Sequence, residues 1–437
     1  MQQNRNATDG GLSRRSFLRA TSALAGAATL SGVSSTGVHA AGKGEIRFAL
    51  VGCGKRGTGA AEQIMNSPHP TKLVAMADAF EDQVESSHAR LMKRQREKVD
   101  VPKERRFYGF DAFKKAIDSG VDLVVLATSP GFRPPHLAYA VEKKKHVFME
   151  KPVAVDGVGV RSVLESTALA KKNNTTLAVG LQRRHQPNYI ETIKRLQDGA
   201  IGDILYARAF WNGGGVWTRP RKEGMTEMEY QMRNWYYFVW LCGDHIVEQH
   251  IHNLDVINWL KGAYPVKANG QGGRQVRTSK EHGEIFDHHF VEFEYADGSR
   301  LYSQCRHIKG CTRNVSEHAY GSKGSATISR ALIQSGASAW KFKGRKVSGH
   351  QQEQLDLVDA LVRGEVYNEG EYGAMSSMTA ILGRLATYCG KEVSLQAALA
   401  SPIATMPKEL AWDALPPAVP GPDGHYAIPV PGRTRVV

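Results

Sequence analysis

No stretch of the 437-residue chain approaches the roughly twenty consecutive apolar residues that a membrane-crossing helix needs, so no spanning segment is expected. Cysteine is scarce. The five, at 53, 242, 305, 311 and 389, are odd in number, and none forms a C-x-x-C pair, so no familiar zinc spacing is present. Buried free thiols are the default expectation. Cys305 and Cys311 are the nearest pair in sequence should an oxidising compartment join two of them. Dense basic runs are also missing, although the formal net charge is +14. Beyond the first forty residues only Lys143-Lys144-Lys145-His146 is tightly basic, and it ends an expected helix, where cations suit the helix dipole. Scattered charge of this kind reads as a solvated basic surface rather than a nucleic-acid footprint. No internal repeat is visible.

What the chain does have begins with an address. Ser13-Arg14-Arg15-Ser16-Phe17-Leu18 is a paired-arginine motif, followed by the weakly apolar run "ATSALAGAATLSGV" and then Val38-His39-Ala40. A charged start, an apolar middle and a small-residue end describe a removable export peptide over residues 1–40. It takes four Arg and one Asp with it, leaving a formal charge of +11. The mature chain is then expected in the periplasm or otherwise outside the cytoplasm, with no membrane insertion after export. Paired-arginine export generally carries folded cargo, which suits a protein that loads a cofactor before crossing.

From residue 45 onward, strand and helix patterns alternate. "EIRFALVG", "TKLVAMAD", "VDLVVLAT", "HVFMEKP" and "TTLAVGLQ" are strand-like, with helical patterns between them. Such alternation predicts βαβ units, a parallel sheet and helices on both faces. The second half changes character. "IFDHHFVEFEY" and "RLYSQCRHI" alternate with period two around Ala296-Asp297-Gly298-Ser299, and a second hairpin pattern surrounds Gly321-Ser322-Lys323-Gly324. Two helices are expected near 351–363 and 373–389. The fold class is therefore α/β. A dinucleotide-binding Rossmann domain is expected over 41–170 and an α+β domain with an open, mainly antiparallel sheet over 171–415. An irregular Pro- and Gly-rich tail should occupy 416–437.

Gly52-Cys53-Gly54-Lys55-Arg56-Gly57 is G-x-G-x-x-G placed directly after a strand and opening a helix. The first glycine allows the tight turn, the second lets backbone approach a pyrophosphate, and the third lets helix pack on strand. The helix start then aims free N–H groups at phosphate. Asp78, about twenty residues on, ends the second strand, where it can accept from ribose hydroxyls and repel a 2′-phosphate. Ala79 offers no cation for that phosphate, so NAD is favoured over NADP. Lys55 and Arg56 either neutralise phosphate or face solvent.

At "MEKPVA" (149–154) the sequence resembles the Gfo/Idh/MocA family of oxidoreductases, which includes glucose–fructose oxidoreductases and inositol dehydrogenases. The likeness covers roughly residues 45 to 390. It rests on Glu150-Lys151-Pro152 after the glycine loop, on "ATSP" (127–130) with His136, on "GLQRRHQP" (180–187), and on Glu248-x-x-x-His252-x-x-Asp255. The resemblance implies a two-domain NAD- or NADP-dependent enzyme, frequently a homodimer or homotetramer, with an open sheet behind the active site. It implies that Lys151 and His252 sit beside the nicotinamide and the reacting hydroxyl. It also places Ala127, Thr128, Ser129, His136, Glu150 and Gln182 at the cofactor. Two departures stand out: Glu248 where the family usually has Asp, and His250 where it usually has Gly, which narrows the expected pocket. Exported glucose–fructose oxidoreductases wrap an N-terminal arm around their dinucleotide. Here only about five residues follow the expected cleavage site before the first strand.

The segment "GDHIVEQHIHNLDVINWLKG" (243–262) reads as one helix, with Asp244 as N-cap and Gly262 as its stop. At about 100° per residue, Glu248, His252 and Asp255 fall within roughly 60° of one another, His245 lies beside them and His250 points away. Three readings compete: a metal site, a structural polar face, and acid–base work. "HIVEQH" lacks the adjacent Glu-His of a zinc helix, so no metal is expected. The neighbouring motifs favour acid–base chemistry. Removing hydride from a secondary alcohol needs a base for the hydroxyl proton and a cation for the developing alkoxide. His252 suits the first role and Lys151 the second. Glu248 would orient His252 or bind a neighbouring hydroxyl, and Asp255 would fix the helix or the imidazole tautomer. Arg183 and Arg184 either reach cofactor or substrate or pair structurally. Ten aromatics between 206 and 240 suggest a substrate wall or an oligomer interface ahead of plain core.

The expectation is thus an exported NAD-dependent oxidoreductase acting on a hydroxyl of a sugar, polyol or glycoside, with its cofactor held tightly. Two alternatives use the same residues differently. One is a glycoside hydrolase that oxidises, eliminates and re-reduces with bound NAD. The other is a non-catalytic sugar-binding protein.

Overall fold

A computed structural model describes residues 44–437, so the expected export peptide and its cleavage site lie outside the described residues. The five strand-like runs of the first half form β1 (Ile46–Val51), β2 (Thr71–Asp78), β4 (Leu123–Leu126), β5 (His146–Met149) and β6 (Leu177–Val179), and a short edge strand that the sequence pattern did not announce, β3 (Arg106–Tyr108), joins them. All pair in parallel, in the order β3-β2-β1-β4-β5-β6. Strands buried on both faces must be apolar throughout. "LVVL" and "HVFM" satisfy this, with every residue buried. Helix α1 (Lys55–Met65) follows β1, and helix α2 (Gly157–Lys172) joins β5 to β6. The sheet therefore extends past residue 170, the boundary expected for the first domain.

The second half builds a nine-stranded sheet around a long central strand, β7 (Ile204–Gly213). Beside it run β8 (Lys267–Gly273), β9 (His288–Glu294), β10 (Arg300–His307), β11 (Asn314–Gly321) and β12 (Gly324–Thr327). The expected hairpins are β9–β10, with Glu294 opposite Arg300, and β11–β12, with Gly321 opposite Gly324. Every pairing is antiparallel except β7 with β10, so the sheet is mixed but mainly antiparallel. One face is covered by helices. The other carries exposed Tyr206 and Phe290, with Tyr206 stacked on Tyr320 at 4.5 Å between ring centroids.

Two helices tie the halves together. Helix α3 (Gly349–Arg363) returns to the first domain, where Leu357, Val358 and Leu361 complete a core with Phe48, Leu50 and Ile64. Helix α4 (Gly370–Cys389) is buried almost all round, as a helix between two layers must be. It packs on α2 and on β8. Residues 401–437 hold neither helix nor named strand, yet they are not loose. Tyr426 is buried against Phe238, and Trp412 packs between Phe80 and Phe110.

The expected single helix over 244–262 is two. Helix α5 (His245–Glu248) ends at Gln249, and α6 (Ile251–Lys261) begins after His250. At the junction the backbone tightens, with His252 N 3.5 Å from Gln249 O. Asp244 caps α5 through its carboxylate, and Gly262 closes α6 in the left-handed region, at the two positions expected.

Candidate active site

A cavity of about 1460 Å³ runs from the end of β1 to the first turn of α3. At one end lies the glycine loop. Gly52 adopts φ +100°, and a Cβ there would stand 2.4 Å from the Ala127 carbonyl carbon. A Cβ on Gly57 would meet Gly52 O at 1.9 Å, so helix and strand touch there as the motif requires. Gly54 is different: nothing lies within 4 Å of where its Cβ would be. That open space faces the start of α1, whose first turn carries no acidic residue and whose N-cap makes no side-chain bond. Free N–H groups beside an empty cradle fit a pyrophosphate. Cys53 N donates to Asp78 Oδ2 at 2.7 Å and Phe80 N to Oδ1 at 3.0 Å, so the loop itself aims the carboxylate. Lys55 is exposed at the rim. Arg56 lines the cavity as well, with its Nε 3.1 Å from Glu150.

The far end gathers side chains from distant segments. Lys151 follows β5 and precedes a cis proline. Its Nζ donates to the Glu248 carbonyl at 2.6 Å and to Glu248 Oε1 at 2.9 Å. Both side chains are about nine-tenths buried, so this pair fixes the ammonium in place. Glu248 thus holds Lys151; the expectation that it would orient His252 is not met. His252 stacks on Trp211 at 6.0 Å, and its Nδ1 has no protein partner. Burial, then the Lys151 ammonium, push the His252 pKa well below the usual histidine range, so the imidazole stands neutral and able to accept a proton. Thr128 and His136 line the wall together; His136 is stacked on Phe113 at 4.0 Å and kept neutral by burial, at about 3. Ala127, Ser129, Glu150 and Gln182 complete this wall.

Other expected site residues point elsewhere. Arg184 spends its guanidinium on Asp255 at 2.8 to 3.2 Å, and Asp255 also accepts from Ser376 at 2.8 Å. Arg183 pairs with buried Glu317. None of Arg183, Arg184 and Asp255 lines the cavity, so as substrate candidates they are displaced; the two arginines follow the structural-pairing alternative, and Asp255 fixes its helix rather than the His252 tautomer. Asp255, one turn past His252 on the same helix, faces α4 and its Ser376. His250 lies 2.7 Å from Ser303 of β10 and does not narrow the pocket.

His245 sits in a separate buried hub. Asp244, at φ 75° and ψ 161°, occupies backbone space nearly reserved for glycine. Its carboxylate accepts from His245 Nδ1 at 2.7 Å, Phe286 N at 3.0 Å and Tyr388 OH at 2.6 Å. Burial alone would raise its pKa, but His289 and His245 beside it hold it well below the carboxylate range. Among the described residues, Asp244, His245 and His289 are grouped closely enough to ligate a metal, their ligand atoms lying within 4.8 Å. The carboxylate's bonds mark the group as a buried hydrogen-bonded knot. All five cysteines are free; Cys305 is buried on β10 while Cys311 is exposed.

Residues 46–181 match the oxidoreductase family with an NAD-binding Rossmann fold, and residues 189–327 match the GFO/IDH/MocA C-terminal domain. Together the two stretches take in more than half of the chain. It belongs to the Gfo/Idh/MocA oxidoreductase family.

Among curated members of that family, the chain is 25% identical over 274 residues to scyllo-inositol 2-dehydrogenase (NAD(+)) of Bacillus subtilis, covering 62% of this chain and 66% of that one. It is 25% identical over 288 residues to inositol 2-dehydrogenase of Rhizobium meliloti, covering 64% and 74%. It is 24% identical over 240 residues to glycosyl hydrolase family 109 protein 1 of Bacteroides fragilis, covering 54% and 50%. The chain thus spans less than two thirds of the length of the Bacillus subtilis relative and half that of the Bacteroides fragilis one. Aldose-aldose oxidoreductase from Caulobacter crescentus shares the fold at TM-score 0.63 and 19% identity, over 80% of this chain and 99% of that one.

Several cavity residues of this Gfo/Idh/MocA protein had no sequence signal. Arg133 is buried and donates to Thr128 O at 2.8 Å and to Pro152 O, bracing two loops against each other. Burial lowers it to about 10, still charged at neutrality. Gln249 and His350 line the reacting end beside Lys151. The aromatic-rich stretch divides. Trp211, Trp217 and Trp235 line the cavity and Tyr206 lies on the outer sheet face, but Phe210, Tyr230, Tyr236, Tyr237, Phe238 and Trp240 are buried. Plain core therefore takes more of them than the wall or interface reading allowed.

Proposed function

We propose that the chain is an exported NAD-dependent oxidoreductase that takes hydride from a CH–OH group of a sugar, polyol or glycoside. The observation that carries this is the convergence of Lys151, His252 and the Gly52–Gly54 loop with Asp78 on one cavity. When bound, the dinucleotide supplies the hydride acceptor. The chain's own residues do the rest. Neutral His252 accepts the hydroxyl proton, the Lys151 ammonium stabilises the alkoxide, and Glu248 keeps that ammonium from swinging away. Glu248 Oε2 and His252 Nδ1, both buried without protein partners, are available to substrate hydroxyls or water. Asp78 favours NAD, since a 2′-phosphate would meet its charge.

Tight cofactor retention suits export, and the walls support it: Phe80 and Phe110 flank the Asp78 end, with Trp412 of the tail packed against both at 5.1 and 4.5 Å. The exposed Tyr206 and Phe290 on the open sheet face support a homodimer or homotetramer built on that face. The paired-arginine leader supports the periplasm or another exported location. Mass spectrometry of the denatured protein for released dinucleotide, followed by a screen of sugars and polyols by nicotinamide absorbance, tests the reading. Absence of dinucleotide together with no reduction on any polyol would sink it.

The second reading is a glycoside hydrolase cycling bound NAD, which the Bacteroides fragilis relative's name favours. A free sugar released without net reduction would select it. Unchanged turnover in Lys151→Ala would instead point to a non-catalytic binding protein.

A further inference from the structure

Oxidising an alcohol leaves a proton behind. The C–H electron pair departs with its hydrogen to the nicotinamide, the carbon–oxygen double bond forms, and the O–H proton passes to His252. His252 cannot keep it: the imidazole is buried, and its cation would stand beside the Lys151 ammonium. Something in the cavity must carry that proton to solvent before the next turnover.

His350 is placed to do so. It lies in the first turn of α3 and lines the same cavity as Lys151, Gln182 and His252, but 36% of its side chain is exposed. Its Nδ1 lies 3.4 Å from Glu353 Oε1, one turn along the helix. Glu353 is 1% exposed, and its other oxygen has no partner. The amide of Gln354 and the Gln182 Oε1 atom are likewise buried and unpartnered, a group of polar atoms that calls for ordered water. The charged groups facing Glu353 are Glu150, paired with Arg56 of α1, and His185 from the turn after β6, together with His350 itself.

We propose that His350 and Glu353 form the proton exit of the site, with His350 taking the proton from His252 through water and Glu353 positioning the imidazole and holding the proton in transit. This rests on the oxidoreductase reading above. The carboxyl suits the task, since burial, reinforced by Glu150, raises it to about 7 against the pull of His350 and His185. It can therefore gain and lose a proton at working pH, which an ordinary glutamate cannot.

The test uses the holoenzyme and the variants Glu353→Gln and His350→Ala. Each is expected to lower kcat about tenfold or more near neutrality with KM little changed, and to alter the pH profile and the solvent deuterium isotope effect. Added imidazole is expected to restore His350→Ala, which a merely structural role would not produce. Infrared titration of the wild type should show a protonated buried carboxyl that ionises near about pH 7 and is missing from Glu353→Gln. An active protein whose variants keep the wild-type pH profile, or that lacks this carboxyl, overturns the proton exit alone. A protein that reduces dinucleotide with no sugar or polyol overturns the oxidoreductase reading, and the exit falls with it.

Discussion

At the dinucleotide end of the cavity, the groups that meet a ligand are chiefly backbone amides drawn from a few consecutive residues after β1, with the Asp78 carboxylate held in place by backbone amides. At the reacting end they are side chains brought from residues 151, 248, 252 and 350. The first end is held by close backbone contact, with Gly52 against Ala127 and Gly57 against Gly52. The second is held by polar pairs, Lys151 with Glu248 and His350 with Glu353. A site made of backbone is insensitive to most side-chain changes, provided the glycines stay. A site made of side chains can be dismantled one function at a time.

The comparison predicts that the ends fail differently. The largest effect is expected from Lys151→Ala, which should reduce kcat/KM by about a thousandfold while the dinucleotide released on denaturation stays at the wild-type amount. If bound dinucleotide falls in parallel, the two ends are not separable. Gly54→Val should do the reverse, filling the open cradle and weakening dinucleotide binding by about a hundredfold with little change in Tm, measured by calorimetry and by titration. Gly52→Ala should instead cost stability, about 1–3 kcal/mol for a side chain at φ +100° on top of the clash with Ala127, and should show as a lower Tm.

The pH profile sharpens the contrast. His252 must be neutral to act as base, and its pKa is depressed by burial and then by Lys151. Oxidation should therefore survive at pH values where an ordinary histidine is protonated, and fall only as pH drops through the depressed value. Lys151→Met removes the second cause, so the acid limb of its residual activity should move upward. An unmoved limb would show that another group sets it. The smallest effect is expected from Trp412→Ala. It should release dinucleotide about severalfold faster on dialysis at unchanged kcat under saturating NAD, by loosening Phe80 and Phe110.

The same contrast decides how much could be read from the sequence. The glycine loop and Asp78 were legible because strand, turn, helix and acid follow one another, and the structure joins them through the Cys53 amide. The alternating strands and both hairpins were legible because burial period tracks sequence period. Glu248, His252 and Asp255 were grouped by assuming one continuous helix. The helix is broken at Gln249 and His250, and although Glu248 and His252 both reach the cavity, Asp255 on the second piece is claimed by Arg184 and Ser376. No local pattern announced that break, since nothing in "VEQHIHN" resembles a stop. Arg183 and Arg184 adjoin the last parallel strand and still face inward, because Glu317 and Asp255 claim them. His350 was invisible for another reason: only the return of α3 to the first sheet carries it to the cavity, about a hundred residues after His252.

That return has a practical side. Leu357, Val358 and Leu361 finish the core around Phe48 and Ile64, so a fragment ending near residue 181 would leave a greasy gap where α3 should lie. The dinucleotide domain is therefore discontinuous along the chain. Any attempt to excise it, or to trade it with a relative, has to bring the later helix along as a second piece.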